Sequence, residues 1–204
     1  MEIRAFGNVN GREIHLCTMQ NRAGTTLAVT DAGAAVVSLV YRGVDVVLGW
    51  PDGETYRHNP GSLGATVGRS ANRIGKARFT LNGETVELSR NIGENNLHSG
   101  PSSYSKRVWE IVESADNRVV FLMDSPGGDQ GFPGNLKLYA SYELGEDDSV
   151  TLDYWGTPDR DTVINPTNHA YFNLNGQGSG EAMGHLLCLH ADAYTPSSEE
   201  QIPT

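Results

Sequence analysis

The most constraining feature of this chain is an alternation of apolar and polar residues on both sides of an Asn82-Gly83 dipeptide. Apolar side chains stand at positions 77, 79 and 81 before the dipeptide and at 86 and 88 after it, which is the period of a β-strand with one buried face. An Asn-Gly pair favours the left-handed backbone of a tight hairpin turn. The pattern therefore predicts a β-hairpin over residues 77–88.

A second hairpin is predicted further along the chain. Apolar side chains alternate through 136–144 and again through 150–154, and a polar turn at 145–148 separates the two runs. No window shows sustained helical periodicity. Further strands are expected in short segments bounded by Gly, Asn, Asp or Pro, namely 25–30, 36–41, 108–113, 118–123 and 186–191.

Many short strands separated by turns predict an all-β fold. The chain has 204 residues, and its 24 glycines and nine prolines supply turns at frequent intervals, which favours an antiparallel sandwich or barrel over a layered α/β fold. A composition with 38% hydrophobic residues argues against intrinsic disorder. We expect one domain over residues 1–204, because a sandwich of this length needs no second domain.

The formal net charge of −10 repels phosphate backbones and anionic membranes, and no cluster of Lys and Arg offsets it. We therefore expect neither nucleic acid nor a membrane as a partner. The first residues lack the apolar run of a secretory signal, and the most apolar window, 34–40, is too short to cross a bilayer. We expect a cytoplasmic protein in which Cys17 and Cys188 are free thiols.

Two short segments, 95–100 and 165–174, each set one histidine among small, polar and aromatic residues. If the second segment continues as a strand after residue 168, His169, Tyr171 and Asn173 share one face and the apolar residues between them pack inward. An imidazole, a phenol and an amide side by side could bind a polyhydroxylated ligand and stack against its C–H face. The alternative is a strand with an ordinary polar surface.

The other candidate residues lie in loops. His98 is surrounded by Asn, Gly and Ser, which either approach a ligand or simply complete turns. Arg73, with Asn72 beside it, could donate hydrogen bonds from its guanidinium to two neighbouring hydroxyls, although a surface salt bridge would explain an arginine equally well. Imidazoles, with an ordinary pKa of about 6.5, can deliver and receive the protons that opening a sugar hemiacetal ring requires.

Two other chemistries have little support in the sequence. His185 and His190 are five residues apart on a predicted strand, so they would point to opposite faces, and no short zinc-binding pattern is present. A glycosidase needs two carboxylates flanking the scissile bond, and the Asp and Glu residues here lie mostly in turns. We therefore expect neither a metal site nor a glycosidase site.

Six ordered motifs of this chain resemble those of the aldose 1-epimerases, also called galactose mutarotases. The resemblance is collinear over nearly all 204 residues, so chance similarity is a poor explanation. The motifs are VGRSANRI (67–74), FTLNG (79–83), NLHSG (96–100), GFPGNL (131–136), TNHAYFNLNG (167–176) and ADAYTP (191–196).

The resemblance implies a large antiparallel β-sandwich, the galactose mutarotase-like supersandwich, whose open face binds a hexose. It also implies an isomerase that interconverts the α and β anomers of hexoses such as galactose or glucose, with no cofactor or metal. By motif match, His169 is expected to be the general acid that protonates the ring oxygen, and His98 its partner in binding and polarising the same region. Asn72 and Arg73 are expected to be ligands of sugar hydroxyls.

In the implied reaction a carboxylate base removes the C1 hydroxyl proton while an imidazolium protonates the ring oxygen. The ring opens, the C1–C2 bond rotates, and the ring recloses as the other anomer. Family members continue past the segment 194–204, and the resemblance places their glutamate base, a sugar-binding aspartate and further strands in that continuation. Nothing in these 204 residues matches either carboxylate.

We therefore expect an aldose 1-epimerase domain that lacks its C-terminal strands. A second hypothesis is a non-catalytic carbohydrate-binding protein that has lost the glutamate base. A third is that a homo-oligomer or a second, completing chain restores the missing edge, because exposed strands invite pairing.

Overall fold

A computed structural model describes residues 1–9 and 11–204. The regular elements in these residues are mostly strands: β1 (Glu2–Val9), β2 (Arg12–Gln20), β3 (Thr26–Thr30), β4 (Ala35–Tyr41), β5 (Val44–Asp45), β6 (Thr66–Val67), β7 (Arg73–Ile74), β8 (Arg78–Leu81), β9 (Glu84–Glu87), β10 (Asn96–Leu97), β11 (Glu110–Ala115), β12 (Arg118–Ser125), β13 (Leu136–Leu144), β14 (Val150–Pro158) and β15 (Thr167–Asn168). Every pair formed between these strands is antiparallel, so the prediction of an antiparallel all-β fold is confirmed.

The helices are short. One α-helical turn, α1, spans Gly53–Tyr56, and single 3₁₀ turns span Pro60–Ser62, Gly75–Ala77, Tyr104–Lys106 and Asp129–Gly131. Asp52 caps α1, because its Oδ1 accepts the backbone N–H of Thr55 at 2.9 Å. None of the helices in the described residues is long and apolar enough to cross a membrane.

Two larger sheets enclose the main core. Strands β1 to β5 form one sheet in chain order, and β11 to β14 form the other. Met19 and Leu27 from the first sheet share one buried cluster with Phe121 and Leu138 from the second. The alternation predicted for 136–144 explains the contribution of β13 to this core, because it turns every second side chain of the strand inward. Each buried aliphatic side chain contributes about 1.5–3 kcal/mol to the stability of the fold.

Both predicted hairpins are confirmed. Strands β8 and β9 pair across Asn82 and Gly83, whose φ values of 53° and 83° are those of the left-handed turn that an Asn-Gly pair favours. Strands β13 and β14 pair through nine residues each, from Leu136 opposite Pro158 to Leu144 opposite Val150.

The shorter predictions had mixed outcomes. Strands β3, β4, β11 and β12 confirm 25–30, 36–41, 108–113 and 118–123 to within two residues at either end. The prediction of a strand at 186–191 was wrong: none of these residues pairs with a sheet, and Leu186 is fully exposed. A sequence with alternating apolar residues forms a strand only where a neighbouring strand is available to pair with it.

Three two-stranded sheets connect these elements and carry the candidate residues. Strand β6 pairs with β15, β7 with β10, and β8 with β9. The first pair sets the start of the His169 segment beside residues 64–67, and the second sets the turn that holds His98 beside Asn72.

Candidate active site

His169 follows β15, and backbone hydrogen bonds fix its position. Its N–H donates to the carbonyl oxygen of Ala65 at 2.8 Å, and its own carbonyl accepts the N–H of Gly64 at 3.1 Å. Gly64 is required here for two reasons: its φ is 65°, and a Cβ would lie 1.9 Å from the carbonyl oxygen of Val36. The main chain beneath His169 is therefore tightly packed.

The prediction of a regular strand over 169–174 was wrong in part. Asn168 interrupts it, because its Oδ1 accepts the N–H of Ala170 at 2.9 Å and turns the chain. Asn173 is buried, whereas Phe172 and Leu174, expected to pack inward, are more than half exposed.

The ring of Tyr171 does lie beside that of His169, with centroids 5.2 Å apart. An imidazole and a phenol therefore share a surface, as the alternation predicted. The third member, Asn173, instead hydrogen-bonds Ser179 and Gly180 within its own loop.

His98 occupies a turn immediately after β10. Its backbone N–H donates to the carbonyl oxygen of Asn72 at 3.0 Å, and the backbone N–H of Asn72 donates to Nδ1 of the His98 ring at 3.1 Å. Both residues have left-handed backbones, with φ of 54° at His98 and 58° at Asn72. Asn72 therefore holds both the main chain and the ring of His98.

A buried hydroxyl secures the same turn. Ser99 is fully buried, and its Oγ accepts the N–H of Ser70 at 2.8 Å and donates to the carbonyl oxygen of Ser70 at 3.1 Å. The segment around Ser70 in turn bonds Asn165, since the N–H of Ala71 donates to the Asn165 carbonyl at 2.8 Å. One continuous set of hydrogen bonds thus joins the turn of His98 to the strand that leads to His169.

The two imidazoles meet in one pocket. Their ring centroids are 5.2 Å apart and their planes are nearly perpendicular, at 89°. They line an open pocket of about 390 Å³ together with His58, Asn91, Lys106 and Tyr171. No aspartate or glutamate lines this pocket in the part of the chain that the structure describes.

Burial, with smaller contributions from His169 and Arg73, lowers the pKa of His98 to about 4. His98 is therefore neutral near pH 7. Because Nδ1 accepts the N–H of Asn72, the single ring proton lies on Nε2. His98 can donate a hydrogen bond from Nε2 to a ligand oxygen, but it cannot act as an imidazolium acid at neutral pH.

Arg73 is placed differently from the two histidines. Its Nη1 donates to Oδ1 of Asn72 at 3.3 Å, but its side chain lines a neighbouring groove of about 400 Å³ with Glu94 and Glu200. Among the described residues it forms no ion pair, so the salt-bridge alternative has no support here. The structure therefore brings His98 and His169 together in the pocket, whereas Asn72 bonds His98 without lining the pocket and Arg73 lies in the neighbouring groove.

Sequence reasoning missed several residues around the pocket. Lys106 stands at its rim, with Nζ 3.4 Å from the carbonyl oxygen of Pro101, and no pattern in the sequence singles it out. Asn91 closes the loop before His98, because its side chain bonds both the N–H and the carbonyl of Leu97. The many Asn and Ser residues in these segments indicate turns, and residues of these turns line the pocket.

No group of three or more His, Cys, Asp or Glu side chains suited to a metal ion is found in residues 1–9 and 11–204. His185, which had been considered as a ligand, accepts the N–H of Leu174 at Nε2 instead. His190 lies near Cys188 on the exposed segment that follows.

An antiparallel β-sandwich with two histidines converging on a polar pocket defines the structural class. Within that class, the chain belongs to the aldose 1-epimerase family, whose sequence model matches residues 15–204. The predicted resemblance is thereby confirmed.

Individual relatives agree with this assignment. The chain is 41% identical over 199 residues to the aldose 1-epimerase of Escherichia coli (strain K12), a match that covers 95% of this chain and 57% of the relative. It is 41% identical over 163 residues to the galactose mutarotase of Bos taurus, covering 80% of this chain and 47% of that protein. The chain thus spans about half to three fifths of the length of these relatives.

A solved structure confirms the fold class. The crystal structure of an aldose epimerase homologue from C. elegans superimposes with a TM-score of 0.88 at 30% identity, covering 93% of this chain and 59% of that one. The galactose mutarotase-like sandwich is therefore the fold of this chain.

Proposed function

We propose that this protein is an aldose 1-epimerase that interconverts the α and β anomers of a hexose such as galactose or glucose. One observation carries the proposal: His98 and His169 face one polar pocket with ring centroids 5.2 Å apart, in a chain of the aldose 1-epimerase family. A hexose presents a ring oxygen and several hydroxyls, and imidazole, phenol and amide groups can bond all of them.

The two histidines have different roles in this proposal. His98 is neutral and protonated on Nε2, so it donates a hydrogen bond to the ring oxygen and polarises it. His169 is the general acid that transfers a proton to the same oxygen as the bond to C1 breaks. Tyr171, whose ring lies beside His169, offers a face for stacking on the sugar C–H groups.

The remaining proposed ligands act on hydroxyls. Asn72 bonds His98 through its main chain, its side-chain Oδ1 accepts from Arg73, and Arg73 reaches the adjacent groove. The general base is a carboxylate by family resemblance, and none of the residues lining the pocket can supply it. We assign the base to sequence that the relatives have beyond their match to this chain, or to a second chain that completes the site.

The location and the assembly remain proposals as well. We propose a cytoplasmic protein, a choice supported by its net charge of −10 and by the deeply buried free thiol of Cys17. A homo-oligomer is the other way to complete the site, and size-exclusion chromatography with light scattering determines whether the protein forms one.

The experiment is polarimetry on freshly dissolved α-galactose and α-glucose at pH 7, with the protein as its gene encodes it. We expect faster mutarotation, and we expect His169→Gln to lower kcat by about 10²- to 10⁴-fold, the usual cost of losing an acid or base. His190→Gln is the matched control, because His190 is exposed and outside the pocket. Saturable sugar binding without faster anomer exchange would instead favour the non-catalytic alternative.

A further inference from the structure

The side chain of Asn168 links the His169 segment to the core. Its Nδ2 donates to the carbonyl oxygen of Gly64 at 2.7 Å and to the hydroxyl of Tyr142 at 3.2 Å, and its Oδ1 accepts the N–H of Ala170. Both donors and the acceptor of this amide are therefore in use. The bonds bracket His169, since they hold the residue before it and the residue after it.

Tyr142 fixes the orientation of that amide. It is fully buried on β13, in the sheet opposite β1 to β5, and its hydroxyl donates to the carbonyl oxygen of Ala34. Because the hydroxyl proton is used there, the oxygen is left to accept from Asn168. A directed chain of hydrogen bonds thus runs from the main chain around His169 into the centre of the sandwich.

The same hydroxyl cluster contains a second tyrosine with a different connection. Thr66 Oγ1 lies 3.3 Å from the hydroxyl of Tyr142 and 3.1 Å from the hydroxyl of Tyr154. Tyr154 forms no hydrogen bond to Asn168. The two tyrosines therefore share Thr66 as a neighbour, and only Tyr142 reaches the segment of His169.

We propose that Asn168 and Tyr142 are positioning residues that set the direction of the His169 imidazole in the pocket. This inference rests on the proposed function for its kinetic consequence, but its geometry stands without it. A displacement of about 1 Å at a catalytic group can lower the rate by about 10²-fold. Loss of the Tyr142 hydroxyl frees one donor of Asn168 and lets the amide, and with it the turn at residues 168–170, reorient.

The test compares Tyr142→Phe with Tyr154→Phe, which each remove one hydroxyl beside Thr66. We expect Tyr142→Phe to lower kcat for mutarotation by about 10-fold or more, with KM changed less than about twofold, and Tyr154→Phe to leave both within about twofold of wild type. Asn168→Asp, which keeps the acceptor for Ala170 and loses both donors, is expected to lower kcat at least as far as Tyr142→Phe.

A readout independent of activity separates positioning from simple destabilisation. Proton–nitrogen NMR of the His169 ring is expected to show changed chemical shifts in Tyr142→Phe and Asn168→Asp, and wild-type signals in Tyr154→Phe. If both test variants match Tyr154→Phe in kcat and in the His169 signals, the proposal is overturned. If one of them fails to fold, the other decides.

The two proposals fail in distinguishable ways. A wild-type protein that does not accelerate anomer exchange refutes the proposed function, and the His169 ring signals still decide whether Asn168 and Tyr142 position it. A wild-type protein that is active, with Tyr142→Phe and Asn168→Asp variants that are equally active and have an unchanged His169 spectrum, refutes the positioning alone.

Discussion

Replacing Ser99 by alanine tests whether the buried hydroxyl holds the turn that carries His98. The Ser99 side chain is fully buried and makes two hydrogen bonds to Ser70, whose exposure is only 6%. Ser99→Ala leaves the Ser70 N–H without a partner, and a buried unsatisfied group costs about 1–3 kcal/mol. With the second lost bond, at about 1 kcal/mol, we expect the free energy of unfolding to fall by about 2–4 kcal/mol.

The assay is urea denaturation followed by tryptophan fluorescence, with Ser102→Ala as the matched control. Ser102 lies in the same loop but is exposed, and its side chain makes no hydrogen bond to the described residues, so its loss should change stability by less than about 0.5 kcal/mol. If Ser99→Ala is as stable as Ser102→Ala, the buried bonds to Ser70 do not stabilise this turn and the reasoning is refuted.

Two further predictions concern the same region. His98 should titrate with a midpoint of about 4 in a proton NMR experiment. In the unfolded chain the same histidine takes up its proton near pH 6.5, so between about pH 6.5 and 4 the unfolded state binds more protons than the folded state. The free energy of unfolding should therefore fall as the pH is lowered from about 6.5 to 4. A midpoint near 6.5 in the folded protein would show that neither burial nor the neighbouring charges act on this ring. Gly64→Ala should destabilise by about 3 kcal/mol or more in the same urea assay, because its Cβ would collide with a backbone carbonyl. Gly43→Ala, at a φ of 81° with open space around it, should cost only about 1–2 kcal/mol, and equal losses at both glycines would contradict the argument from packing.

The hairpins could be predicted from sequence because their determinants are local. Alternation and the Asn82-Gly83 turn lie within 12 consecutive residues, and the strands they form need only each other to pair. The segment after Asn168 has a similar alternation, yet its hydrogen bonds go to residues 46–48 and 64–65, far away in sequence. Its conformation is therefore decided by remote partners that no local pattern reveals.

The identities of the site residues were recognisable from their motifs, but their arrangement was not. Asn72 and His98 are 26 residues apart, and the pairing of β7 with β10 brings them together. The lowered pKa of His98 also depends on burial, which the spacing of residues in the sequence does not reveal. Roles on the sugar remain predictions for all four residues.

Arg69 shows the same limit for a residue inside a recognised motif. Arginines are mostly exposed, yet Arg69 is 1% exposed and its guanidinium donates to the main chain at Ser125, Pro126 and Pro133. These acceptors lie more than 50 residues further along the chain, at the end of β12 and in the loop after it, so the sequence alone does not reveal the role of Arg69. The motif 67–74 thus contains a structural arginine and a candidate ligand four residues apart.

The most direct test of the central claim is exchange spectroscopy on a hexose at anomeric equilibrium. With the protein as its gene encodes it and galactose at pH 7, proton NMR should show exchange cross-peaks between the α and β H1 signals that grow with protein concentration, while no other product accumulates. Exchange that stays at the uncatalysed rate for galactose and glucose alike would contradict the claim that His98 and His169 form a mutarotase site.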